Sequence, residues 1–258
     1  HEYLDQPRYC NERDAMQGAY LGPGFTDAEA QQSLEGVGAV YTTRQASELY
    51  PSVAELLAKG HVVGWFQGRM EFGPRSLGGR SILGDARLAS MQSAINQKVK
   101  FRESFRPFAP AVLEERTGEY FDLTAESPYM LLVADVAKSQ RLARPADESP
   151  GFARLKHARS TLPAVTHVDG SARVQTVGRE RHPLFWQLLR RFEQRTGCGV
   201  LLNTSFNVRG EPVVCTPDDA YRCFVNTAID WLAIGPFLLS RERQPVEKPQ
   251  PTFDPIPD

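Results

Sequence analysis

The sequence is poor in cysteine and histidine and has no long apolar run. Cys10, Cys198, Cys215 and Cys223 are the four cysteines in 258 residues, with no Cys-x-x-Cys pair among them. That density excludes a disulfide scaffold and leads us to expect a reducing, cytoplasmic setting. The five histidines (His1, His61, His157, His167, His182) have neither His-x-His nor His-x-x-x-His spacing, so no metal ligands are assigned. No stretch approaches the ~18 consecutive apolar residues of a membrane span. No basic-then-apolar leader is visible. The Walker pattern GxxxxGK[ST], the dinucleotide fingerprint GxGxxG and the hydrolase elbow GxSxG are all missing. No Ser-His-Asp set or catalytic carboxylate pair stands out. Binding and positioning are therefore favoured over a side-chain nucleophile.

What is present is an ordinary globular composition, 41% apolar and 24% charged, long enough to bury a core without staples. The net charge is only −1, but it is unevenly spread. Residues 61–109 carry eight Lys/Arg against three acids (+5), residues 151–210 carry ten against three (+7), and the remainder is −13. Two positive blocks suit an anionic ligand, or else arginines on solvated helix faces.

Residues 1–18 are polar and aperiodic and read as a linker remnant, and 243–258 read as a Pro-rich tail. One body, 19–242, lies between them, with a surface excursion at 139–154. Thr26 with Glu29 forms a capping box that opens a helix to about Leu34. Helices are also expected over 45–59 (with a restart at Pro51), 88–99, 184–194 and from Thr216. Strands are expected over 61–66, 129–136, 173–177, 199–202, 231–234 and 237–239. Helices and strands interleave without regular βαβ units, which indicates an α+β fold with a mixed sheet.

Three segments concentrate polar chemistry. Gly68–Arg87 holds five glycines with Arg69, Arg75, Arg80 and Arg87, between an expected strand and an expected helix. Glycines allow close backbone approach, and guanidinium forks suit phosphate or carboxylate. The plainer alternative is a long hairpin with its arginines in water. In the second, Asn96–Pro110, an extended backbone would put Lys100, Arg102, Ser104 and Arg106 on one face. That face suits a polyphosphate, and the interleaved phenylalanines also suit single-stranded nucleic acid; an edge strand with Phe inward is the alternative. In the third, Leu201–Pro212, an apolar strand runs into Asn203, Thr204, Ser205, Asn207 and Arg209, which are able to hold a ligand's polar edge or simply to form an Asx/ST turn. Asp169–Gln175 is a turn into a strand, with Arg173 and Gln175 on one face.

The stretches GRMEFGPRSLGGRSILGDAR, NQKVKFRESFRPFAPAVL, DGSARVQTV and LLNTSFNVRGEPVV occur in this order. They resemble the carboxy-terminal domain of the O-carbamoyltransferases of nodulation-factor and antibiotic biosynthesis, over about residues 20–240. The resemblance implies a YrdC-like fold, a twisted mixed sheet flanked by helices, following an amino-terminal actin-like ATPase-fold domain with a histidine-held metal. It implies that this domain makes carbamoyl adenylate from carbamoyl phosphate and ATP, with Mg2+, and that the other domain transfers the carbamoyl group to a hydroxyl. Lys100-Phe101-Arg102 and Ser205-Phe206-Asn207 match the Lys-x-Arg and Ser-x-Asn signatures of the wider YrdC-like group. By that resemblance Lys100, Arg102 and Arg106 are assigned to catalysis. Arg75, Arg80, Arg173, Asn203, Ser205, Asn207 and Arg209 are assigned to substrate binding. Neither a membrane nor a nucleic-acid partner is expected.

Overall fold

Two capping boxes set helix starts in the structure, a computed structural model that describes residues 14–143 and 158–245. Thr26 Oγ1 accepts the Glu29 amide while the Glu29 carboxylate accepts the Thr26 amide, opening α1 (Asp27–Gly36). Further along the chain come β1 (Thr42–Thr43), α2 (Ala46–Ala58), β2 (Val63–Phe66), β3 (Arg80–Asp85), α3 (Ala89–Lys98), β4 (Ala109–Leu113), α4 (Thr117–Tyr120) and β5 (Leu132–Asp135). They are followed by β6 (Ser171–Val177), α5 (Pro183–Thr196), β7 (Val200–Ser205), α6 (Pro217–Val225), β8 (Trp231–Ile234) and β9 (Phe237–Ser240). The second box, Thr216 with Asp219, opens α6 with Pro217 in its first turn, where the missing amide costs nothing.

The strands form one mixed nine-stranded sheet in the order β1-β9-β8-β2-β3-β7-β4-β6-β5. The β2–β8 and β4–β6 ladders are parallel and the others antiparallel. Helices α2 and α5 pack together, α2 against β2 and β3, and α5 against β4 and β7. Helix α6 lies against β2 and β8 with α1 beside it. The expected α+β architecture, a mixed sheet with flanking helices, is present.

Several expectations need correction. The helix over 45–59 runs unbroken through Pro51. Leu49, Tyr50, Val53, Ala54 and Leu57 pull one face of α2 into the core, and the carbonyl that loses its partner is that of exposed Ser47. The Gly68–Arg87 stretch is not one loop, since its second half is the fully buried strand β3, antiparallel to β2. Strand β4 adds to the expected strands; it accommodates Pro110 because the β6 ladder begins only at Ala111, so Pro110 sits before it. Asn203, Thr204 and Ser205 belong to β7 rather than to a turn after it. Gly78 has φ +110°, and a Cβ there would meet the Phe185 ring at 2.3 Å, so this glycine lets the loop before β3 rest on α5.

The ends differ too. Residues 14–18, expected as linker, dock through Asp14, which accepts the Gly18 amide and the Tyr129 hydroxyl and pairs with Arg181. At the other end Gln244 is buried, donates to the Val40 and Ser240 carbonyls and accepts the Val40 amide. Residues 1–13, 144–157 and 246–258, the rest of the expected linker, excursion and tail, lie outside the described residues.

His182 is buried, edge-on to Tyr20, with neither ring nitrogen hydrogen-bonded. Burial, with Arg181 close by, lowers its pKa from 6.5 to about 4. The unfolded chain therefore binds this proton first as pH falls, and stability is lost between about pH 6.5 and 4. Replacing the ring with an apolar side chain (His182→Leu) should remove about 2 kcal/mol of the stability difference between pH 7 and pH 4.5. Urea denaturation of both proteins at the two pH values measures it; equal pH dependence would refute the assignment.

Candidate functional site

Two clusters form on the central strands. In the first, the Lys100 side chain turns inward from the end of α3, and its ammonium donates to four neutral oxygens. These are the Ser205 carbonyl (2.5 Å), Ser205 Oγ (3.2 Å), the Asn207 carbonyl (2.9 Å) and Asn207 Oδ1 (2.7 Å). Ser205 Oγ in turn donates to Asn207 Oδ1 at 2.7 Å, and Asn207 Nδ2 donates to the Glu211 carbonyl. The Lys-x-Arg and Ser-x-Asn motifs are thus in direct contact across 105 residues of chain. Burial, with Arg102 nearby, lowers the Lys100 pKa from 10.5 to about 7, while the ring of oxygens favours the ammonium.

The loop after Lys100 is bent rather than extended, so Lys100, Arg102 and Arg106 do not share a strand face. Phe101 takes φ +47° and is 55% exposed, opposite to the Phe-inward alternative. Asn96 organises the loop. Its Nδ2 donates to the Ser104 and Arg106 carbonyls and its Oδ1 accepts Arg102 Nε at 2.7 Å. Arg102 lies over the Phe108 ring, and burial together with Arg106 lowers its pKa. Arg106 is exposed and faces Glu103 at 3.9 Å.

The second cluster is built on register. Asn203 of β7 pairs with Ala109, and Gln175 of β6 pairs with Ala111. Directly paired residues share a face, so Asn203 and Gln175 flank two alanines on β4. The small side chains leave room for Asn203 Nδ2 to reach Gln175 Oε1 at 2.8 Å across the intervening strand. Asn203 Nδ2 also donates to the Ser76 carbonyl and Gln175 Nε2 to the Leu77 carbonyl. Glu71 gathers the amides of Leu77 (2.6 Å), Gly79 (2.7 Å) and Arg80 on its buried carboxylate. The loop from Gly73 to Gly79 is thereby tied down around Arg75.

Arg173 lies two residues before Gln175 and on the same face of β6, as expected. Burial, with Arg75 close by, lowers its pKa. The Nε atoms of both arginines are buried without a hydrogen-bond partner, as is Asn203 Oδ1. Among the described residues neither arginine forms an ion pair. Two neighbouring guanidiniums with unpaired donors make an electropositive recess suited to an anion.

Arg80 does not belong to that recess. It is fully buried over the Phe66 ring (3.5 Å) and donates to the carbonyls of Gln67, Gly68, Gly79 and Pro23. Burial lowers its pKa to about 10. Its Nη donors are engaged by the fold, and its Nε is buried without a hydrogen-bond partner. Arg87 likewise pairs with buried Asp85, and Arg69 holds the Leu21 and Gly22 carbonyls. Arg209 is exposed in the turn after β7. Sequence reasoning missed Glu71 and Asn96. Glu71 was visible as the one acid within Gly68–Gly84; Asn96 carried no signal beyond its place on a helix end.

Residues 54–241 match the family model described as Carbamoyltransferase C-terminus. The chain belongs to this family. It is 56% identical over 249 residues to the uncharacterized protein sll1178 of Synechocystis, covering 95% of this chain and 40% of that protein. It is 39% identical over 233 residues to nodulation protein NolO of Bradyrhizobium diazoefficiens, covering 89% and 39%. To a 3'-hydroxymethylcephem-O-carbamoyltransferase of Streptomyces clavuligerus it is 39% identical over 173 residues, covering 67% and 29%. The chain therefore spans two fifths or less of the length of these relatives. No helix among the described residues is long and apolar enough to cross a membrane.

Removing the Lys100 ammonium while keeping its stem (Lys100→Met) leaves the carbonyls of Ser205 and Asn207 without a donor. It should destabilise the fold by about 1–3 kcal/mol. Arg106→Gln, at an exposed charge, should cost under about 0.5 kcal/mol. Denaturant midpoints test both; equal effects would mean that the cluster around Lys100 carries no structural weight.

Proposed function

We propose that this domain forms carbamoyl adenylate from carbamoyl phosphate and ATP, for transfer to a hydroxyl acceptor elsewhere in a longer protein. The observation that carries the reading is the pair Arg75 and Arg173, with buried, unpartnered Nε donors, together with an ammonium held only by neutral oxygens in the other cluster, in a carbamoyltransferase family domain. The relatives' additional length supports a separate partner region; an actin-like ATPase-fold domain preceding this one is the partner we propose.

In this reading Arg75 and Arg173 take the phosphate of carbamoyl phosphate. Water adds to the carbonyl carbon, the bond to the phosphate oxygen breaks, and phosphate and a proton leave carbamate behind. A carbamate oxygen then attacks the α-phosphorus of ATP, the bond to the bridging oxygen breaks, and pyrophosphate departs. Lys100, Arg102 and Arg106 face the charge that develops on the phosphoryl oxygens. An anion arriving beside Lys100 pulls its lowered pKa back up and secures the ammonium. Asn203, Ser205 and Asn207 hold neutral polar edges, and Arg209 lies at the rim. Carbamate decomposes in water, so the chemistry calls for a site that excludes solvent.

Mg2+ does not fit a protein-held position here. Among the described residues no three His, Cys, Asp or Glu side chains cluster to hold a metal, and Glu71 is spent on backbone amides. Mg2+ would enter only with the nucleotide, held by its phosphates and water.

The test is pyrophosphate release that depends on carbamoyl phosphate, alongside calorimetric ATP binding. Asn207→Ala should lower release about tenfold or more while changing ATP affinity less, since its contact strengthens as the product forms. Binding of neither ligand to folded protein would overturn the reading, and steeply salt-dependent RNA binding would replace it.

A further inference from the structure

The segment from Asp14 to Pro23 lies outside the residues that match the family model, yet it braces the loop that carries Arg75. The Ala19 carbonyl accepts the Phe72 amide at 2.7 Å, the Gly22 amide donates to the Met70 carbonyl, and the Met70 amide donates to the Pro23 carbonyl. Glu71, inside this ladder, is the residue whose carboxylate gathers the amides of Leu77, Gly79 and Arg80. Tyr20 completes the brace, because its hydroxyl donates to the Leu77 carbonyl at 3.0 Å.

Leu77 is therefore held from three sides. Its amide is on Glu71, and its carbonyl is shared between Tyr20 and Gln175 of the sheet. The neighbouring Ser76 carbonyl is held by Asn203. Arg75 is the next residue along. The Tyr20 ring is itself fixed edge-on against His182 at 5.5 Å, and the segment is anchored by Asp14 on Arg181 at 3.5 Å. Gln17 and Ala19 sit at φ +49° and +66°, a conformation that non-glycine residues adopt only when their surroundings impose it.

We propose that Tyr20 is a positioning residue for the anion recess: through the Leu77 carbonyl it sets the loop that presents Arg75 opposite Arg173. The proposal rests on the reading that this recess takes the phosphate of carbamoyl phosphate. It deepens that reading by making recognition of this ligand depend on a segment outside the family model's match. Tyr20 touches no ligand; it acts through Leu77 and Arg75.

The experiment compares Tyr20→Phe, Arg75→Ala and the parent chain for calorimetric binding of carbamoyl phosphate and, separately, of ATP. Tyr20→Phe keeps the ring and its packing on His182 and removes only the hydroxyl. It should weaken carbamoyl phosphate about five- to tenfold, the range of one buried hydrogen bond, and leave ATP affinity within about twofold. A purely structural role would weaken both ligands together with the melting temperature, and that outcome overturns the proposal. So does unchanged binding of both ligands to Tyr20→Phe when Arg75→Ala abolishes carbamoyl phosphate binding. If Arg75→Ala itself leaves carbamoyl phosphate binding intact, the reading of the recess fails, and the proposal fails with it.

Discussion

One buried ammonium joins the parts of this molecule that matter most. Lys100 leaves the end of α3 and reaches the last residue of β7 and the turn beyond it, meeting four oxygens and no carboxylate. A charge held by neutral groups loses hydration without gaining a counterion, and this burial lowers its pKa. Arranging four acceptors around it offsets the loss and locks the α3–β4 loop to β7. The positive φ at Phe101 belongs to the same constraint: the chain has to reverse there for Lys100 to face inward while Arg102 turns back onto Asn96. An exposed phenylalanine is the local consequence.

The arginines divide by what their donors meet. Arg80, Arg87 and Arg69 spend theirs on carbonyls or on Asp85, Arg80 keeping only a buried Nε without a partner, so they are part of the scaffold although they lie in the segment richest in glycine and arginine. Arg75 and Arg173 keep buried donors unspent. Charge counting along the chain treats all of them alike. The difference arises from strand alternation and burial, since Arg80 begins a central strand and points into the layer that holds Phe66, whereas Arg75 crowns a loop.

The elements legible in the sequence were those with local chemistry: the Thr26 capping box, the helix start at Thr216, the apolar face of α5 ended by Gly197, and the apolar strands β2, β8 and β9. Those missed depend on contacts that hydrophobic periodicity does not report. Strand β3 carries Arg80, Ser81 and Asp85 because Glu71, Gly78 and Arg87 satisfy their polar groups in three dimensions. Strand β4 carries a proline because its ladder to β6 starts one residue later. At the site, the Lys-x-Arg and Ser-x-Asn motifs were legible, but the direct contact of Lys100 with Ser205 and Asn207 depends on how the chain brings the two segments together. It could not reveal that Asn203 reaches Gln175 over two alanines, because that depends on the register of three strands.

The brace and the recess follow one logic. Leu77, Ser76 and the Arg75 loop are held by side chains from β6, β7 and the 14–23 segment, with Glu71 supplying an internal anion to their amides. This network satisfies every backbone group named in it, while the Nε donors of two neighbouring arginines of like charge stay unpaired. Their repulsion and their missing partners cost folding free energy. That cost is tolerable because the remainder of the sheet is apolar and closely packed. An anion of the right size relieves both penalties at once, so the fold holds in place, before any ligand arrives, the charges that the ligand later neutralises.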